Sequence, residues 1–94
     1  MSDHPTPVAL HNLGSNFHRL AFENGLSVWF SYETPVAFAV LGTRVVRQNS
    51  WGPTTGKHLN QIDGGDAQAK AARVTGDMFN RILTGALTDM HAEA

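Results

Sequence analysis

The sequence predicts an α+β fold: a four-stranded, mainly antiparallel sheet with β-hairpins, then a short helix and a longer C-terminal amphipathic helix. Three observations carry this. Two β-prone runs flank Asn24-Gly25, a second pair of short apolar runs follows, and apolar residues in the last third recur at helical spacing. With 94 residues the chain holds one domain. Residues 1–15, with Pro5, Pro7 and Gly14 and few bulky side chains, read as a flexible N-terminal arm, which Val8-Ala9-Leu10 can pin to the body. Residues 16–94 form the domain.

The first hairpin is the clearest local signal. Asn-Gly supplies the two positive φ angles of a type I′ turn at little steric cost. A two-residue loop then pairs Ala21 with Val28, Leu20 with Trp29 and Phe17 with Tyr32. Glu33-Thr34-Pro35 ends that run, since proline cannot donate to a ladder. Val36–Val40 is apolar on both faces and reads as a central third strand, with Val36, Phe38 and Val40 on one face. Leu41-Gly42 turns the chain into a fourth strand, Thr43–Gln48.

Ser50-Trp51-Gly52-Pro53 is a loop by composition. Residues 54–62 then form a short helix capped by Thr54 or Thr55, with Leu59 and Ile62 on one face, and Asp63-Gly64-Gly65 stops it. Asp66 caps a last helix that runs to about Asp89. One stripe of this helix is Val74, Met78, Ile82 and Ala86; the adjacent one is Phe79, Leu83 and Leu87. Gly76 and Gly85 inside it either admit a close neighbour or mark a break.

Composition narrows the function. Net charge is −1, so no global basic field points to nucleic acid. A mild excess of cations between Phe17 and Ile62 comes from Arg19, Arg44, Arg47 and Lys57. The chain has no cysteine, which removes thiolate catalysis and cysteine metal sites. Its longest apolar run, Pro35 to Leu41, is far short of the roughly 20 residues that cross a bilayer. No basic run precedes an apolar core at the N-terminus, so a cytoplasmic location is expected.

The motifs divide into near misses and weak candidates. Gly52-Pro53-Thr54-Thr55-Gly56-Lys57-His58 approaches a P-loop. It has three residues between its glycines instead of four, and His58 stands where a hydroxyl residue would hold magnesium. A lesser role survives: Thr54, Thr55, Lys57 and His58, with Arg44 and Arg47, can contact a phosphate or carboxylate. The bland account is a capped helix beside a solvated lysine. His4, His11, His18, His58 and His91 show no metal-ligand spacing, and no serine sits in a nucleophile elbow. No catalytic residue, metal or cofactor is therefore expected. Trp29, Phe30, Tyr32 and Trp51 with Arg19, Arg44 and Arg47 can form a stacking surface for single strands, although aromatics on a small sheet are usually core.

Phe30-Ser31-Tyr32-Glu33-Thr34-Pro35-Val36-Ala37-Phe38, followed by Trp51-Gly52-Pro53-Thr54-Thr55-Gly56-Lys57-His58-Leu59, resembles a group of short uncharacterised phage and prokaryotic proteins. These share a Ser-Tyr-x-Thr-Pro-Val-Ala strand entry and a Thr-Thr-x-Lys-His helix start. The resemblance spans about Phe17 to Ile62 and leaves the last helix, from Asp66 on, as an addition. It implies a phage or prophage origin and a compact hairpin-plus-helix domain, with no activity attached. It marks Ser31, Tyr32, Thr34, Pro35, Thr54, Thr55, Lys57 and His58.

The expected function is that of a small non-enzymatic phage-type accessory protein that binds another protein, possibly a host factor. The alternative is a nucleic-acid or phosphate-ligand module built on Arg44, Arg47, Lys57 and His58. Phe79, Leu83 and Leu87 are expected to carry self-association, because one sheet covers one helical stripe and leaves the other in water.

Overall fold

The computed structural model describes residues 7–23, 25–40 and 42–92, the last six of them and residue 7 by backbone alone. Residues 1–6 of the expected arm, His4 among them, lie outside the described residues, as do Asn24, Leu41 and the side chains of Leu87, Asp89 and His91.

The elements are β1 (Pro7–Gly14), β2 (Phe17–Phe22), β3 (Ser27–Ser31), β4 (Thr34–Val40), β5 (Thr43–Val46), α1 (Pro53–Asp63), α2 (Ala67–Ala72) and α3 (Gly76–Ala92). The strands form one antiparallel sheet in the order β1-β2-β3-β4-β5, each joined to the next by a tight turn. This is an α+β fold with five strands where four were expected. The additional strand is β1, drawn from the segment read as an arm. Its register places Ala9 opposite Ala21 and Leu10 opposite Leu20. The Val8-Ala9-Leu10 patch was the trace of it, and the flanking prolines and glycine hid it.

The β2–β3 hairpin is where expected but one residue out of register. Leu20 pairs with Val28 and Phe17 with Ser31. The loop has three residues, closed by Phe22 N–H donating to Leu26 O at 2.8 Å, with Gly25 left-handed at φ 88°. A three-residue loop that ends in a left-handed glycine is the next most common hairpin after the two-residue type. The slip matters, because one residue of shift exchanges the two faces of a strand.

β4 starts at Thr34, earlier than expected, because Tyr32-Glu33 make a tight turn. Tyr32 holds the left-handed region at φ 57°, and its N–H donates to Asn16 O at 2.7 Å. A register shift opposite Trp29 and Phe30 leaves Val36 as an extra residue beside Pro35, which has no N–H for the ladder. Val36 consequently packs in the same cluster as Ala37 rather than with Phe38.

While β1 is largely exposed, the middle of the sheet is covered on both faces. On one, α1 sets Leu59 and Ile62 against Phe17, Val36, Ala37 and Val46, with Trp29 at the margin. On the other, α3 sets Phe79 against Leu26, Val28 and Phe38, with Leu83 and Ala86 beside it. The Phe38 and Phe79 rings meet at 5.6 Å with a 57° tilt, a favoured edge-to-face arrangement.

α1 is capped by Gly52 with Pro53 in the first turn, and neither Thr54 nor Thr55 is the cap. Proline is preorganised for that position and removes an N–H that has no helical partner there. Left-handed Gly64 ends the helix. Asp66 caps the next helix as expected, its carboxylate accepting from Ala69 N–H at 2.7 Å. The single helix expected from there is two. Arg73-Val74-Thr75 interrupts it, and Val74 forms a parallel bridge with Arg47. Val74 N–H donates to Val46 O at 2.9 Å, and Gln48 N–H donates to Val74 O at 2.7 Å. Thr75 then caps α3 through Oγ1, which accepts from Met78 N–H at 3.2 Å. Gly76 admits a close neighbour: a Cβ there would land on the Arg47 guanidinium.

Candidate functional site

The two segments singled out in the sequence meet in space. Ser31, the last residue of β3, projects toward α1. Its Oγ lies 2.9 Å from Thr55 Oγ1 and 2.7 Å from His58 Nδ1. All three residues are buried. Thr55 and His58 are three apart on α1, one helical turn, so both face the sheet. Phe17 stacks flat on the His58 ring, with centroids 4.6 Å apart and planes 4° from parallel.

The polarity of this network follows from the histidine. Burial pushes the His58 pKa below its ordinary value, and a hydrogen bond to the Ser15 backbone opposes that more weakly. A neutral imidazole carries one N–H. Which ring nitrogen carries it sets the direction of the Ser31 contact. With the proton on Nε2, Ser31 donates to Nδ1 and Thr55 can donate to Ser31; with it on Nδ1, the ring donates to Ser31 and Ser31 can donate to Thr55.

Beside this network is a cavity of about 200 Å³ lined by Ser31, Tyr32, Thr34, Val36, Trp51 and Thr55. Tyr32 and Trp51 are 51% and 44% exposed. The Tyr32 side chain is set by the left-handed turn, a conformation a bulky residue adopts at a cost. Trp51 is set by Asn49: Oδ1 accepts from Trp51 N–H at 2.9 Å, and Nδ2 donates to Gly52 O at 3.3 Å. Arg47 stacks on the Trp51 ring at 4.6 Å and also lies 5.7 Å from the Phe79 ring. Its Nε is buried without a hydrogen-bond partner.

The expected anion-binding residues do not share one site. Thr55 and His58 are buried in the network, while Thr54 and Lys57 are exposed on α1. Arg47 is held by rings. Arg44 lines a second, smaller cavity of about 140 Å³ with Val46, Asp63, Ala69, Ala72 and Arg73. There Arg73 grips Asp63, with Nε to Oδ2 at 2.7 Å and Nη2 to Oδ1 at 2.9 Å, and reaches Asn60 Oδ1 at 3.1 Å. These bonds hold the Asp63 carboxyl below its ordinary range. The expected stacking surface is also divided, since Trp29 and Phe30 are half-buried on opposite faces. Sequence reading missed the Ser31 contact because it links residues 24 and 27 positions apart.

Two apolar surfaces complete the inventory. On β1, Val8 and Leu10 are 62% and 67% exposed and Leu13 is partly so. No described strand pairs with the outer edge of β1. On α3, the stripe expected to face outward points in: Phe79 is fully buried and Leu83 packs beside it, while Met78 and Ile82 are exposed. No helix is long and apolar enough to cross a membrane among the described residues.

No curated protein and no solved structure matches the chain. Residues 8–81 match the model of a family of unknown function, DUF8033. That span takes in β1, α2 and the start of α3, so the region beyond Asp66 is part of the family's domain and not wholly an addition. The match covers well over half of the chain, and the protein belongs to this family of unknown function.

Proposed function

We propose that this is a non-enzymatic accessory protein, of the phage type its motifs resemble, which works in the cytoplasm by binding another protein along β1. The observation that supports this reading is the character of that strand. Its sequence, Pro-Val-Ala-Leu-His-Asn-Leu-Gly, carries no Lys, Arg, Asp or Glu. Natural sheets blunt their free edges with charges, because a row of unpaired N–H and C=O groups templates another strand. Here the edge is uncharged, and Val8 and Leu10 stand exposed on it. An extended segment of a partner can add a sixth strand, with backbone hydrogen bonds giving affinity and these side chains giving selectivity.

The test is co-purification from host cells with wild type, Leu10→Lys and, as a control on α3, Met78→Lys. A stoichiometric partner lost with Leu10→Lys and kept with Met78→Lys is the expected result, accompanied by slowed hydrogen exchange at β1 amides. A partner indifferent to Leu10→Lys overturns the reading. The alternative occupant is a second copy of the chain. The exposed Met78 and Ile82 stripe favours it, and sedimentation of wild type against Leu10→Lys and Ile82→Glu shows which surface is used. A wild type that runs at 10.2 kDa removes that alternative.

A further inference from the structure

We propose that the cavity between Tyr32 and Trp51 binds one uncharged heteroaromatic ring bearing an N–H donor, the chemistry of a nucleobase. The walls come first. Two aromatic side chains, each about half exposed, line a cavity of about 200 Å³, room for a ring and little more. Pockets that hold drug-sized ligands start at roughly 300 Å³. The backbone at both walls is fixed, at Tyr32 by its left-handed turn and at Trp51 by Asn49, and Arg47 stacks on the Trp51 ring. Rigid aromatic faces lose little freedom when a ring stacks on them.

The floor selects the hydrogen-bonding partner. Among the lining residues none is charged, so no ion pair is offered there to an anion or a cation. Ser31 Oγ is hydrogen-bonded to both Thr55 Oγ1 and His58 Nδ1. Tyr32 and Thr34 add hydroxyls that donate or accept, so the lining offers acceptors for a ring N–H or exocyclic amine and donors for a ring nitrogen or carbonyl. The strain at Tyr32 is a second sign: a bulky residue held at φ 57° belongs to the class of outliers that gather at binding sites. The ring can come from a free nucleoside or from an unstacked base in a single strand.

The experiment is an amide and indole NMR titration of the full chain with adenosine, cytidine and thymidine, with ribose and inorganic phosphate as controls. Saturable shifts at Tyr32, Thr34, Trp51 and Thr55 are expected with at least one nucleoside and with neither control. Tyr32→Leu, which keeps bulk but removes the flat face, weakens binding about 5- to 150-fold, the range for loss of one stacking ring. Thr55→Val weakens it further. Should Thr55→Val fail to fold, the exposed Tyr32→Leu still decides the matter. A short single-stranded oligonucleotide separates the sources. Binding tighter than the nucleoside and weakened by salt assigns a base within a strand, and equal binding assigns the free nucleoside. The proposal is overturned by no saturable shift up to about 10 mM, weaker than a fragment-sized ligand would bind. Shifts reproduced by ribose or phosphate, or indifference to Tyr32→Leu, overturn it equally.

Discussion

Arg73→Met tests how the C-terminal third is fastened to the sheet. The Arg73 and Asp63 side chains are only 6% and 7% exposed, and two hydrogen bonds join them directly. Arg73 directly precedes Val74, which bonds to β5, so the ion pair sets where that bridge lands. Removing the guanidinium leaves a buried carboxylate that still accepts from Gly65 N–H at 3.0 Å. Breaking one side of a buried pair costs about 3–5 kcal/mol, a large share of the roughly 5–15 kcal/mol that stabilises a domain. The double variant Arg73→Met/Asp63→Leu removes both charges; relative to Arg73→Met, which has already lost the Asn60 hydrogen bond, it gives up only the Gly65 contact, worth about 1–3 kcal/mol. It is therefore more stable than Arg73→Met alone. Urea unfolding followed by circular dichroism, at unchanged m-value, measures all four corners of the cycle. A loss below about 1 kcal/mol in Arg73→Met, the level of a surface pair, refutes the reasoning. So does a double variant as unstable as the sum of the singles.

Three further outcomes are expected. Stability falls in two stages as pH drops: below 6.5 the unfolded chain binds a proton that buried His58 resists, and below 3.8 the same holds for Asp63. Each stage has a slope of up to about 1.4 kcal/mol per pH unit, and in chemical denaturation across pH, His58→Gln removes the upper one. Gly85→Ala raises stability by about 0.5–1 kcal/mol in thermal melts, because Gly85 lies inside α3 with open space where the Cβ would go. Phe79→Ala lowers stability by about 3–5 kcal/mol in urea titration, because the ring is fully buried against Phe38.

Local chemistry made much of the fold legible. Asn24-Gly25 located the hairpin, Asp63-Gly64-Gly65 the end of α1, and Asp66 the start of α2. What failed was what local chemistry leaves degenerate. An Asn-Gly pair serves a two- or a three-residue loop, and that choice moved every cross-strand partner. Apolar spacing ran straight through Val74, whose ladder bonds to Val46 and Gln48 are tertiary; the β-branched Val74-Thr75 before Gly76 was the available signal of a new cap. At the site, Thr55 and His58 were chosen on spacing along α1, but Ser31 reaches them only through the packing of β3 on that helix. Arg44 and Arg47, chosen for charge, were drawn instead to Asp63's cavity and to aromatic rings.

The Val74 bridge has a consequence for assembly. It occupies part of the outer ladder of β5, while no described strand pairs with the outer side of β1. End-to-end growth of a sheet into a filament needs two exposed ends that fit each other, repeated without closure. A sheet with one end covered adds a single strand, or joins one other sheet face about a two-fold axis, and then stops. The short segment between two helices thus narrows the free edge of β5 and leaves β1 as the longer open edge of the sheet among the described strands.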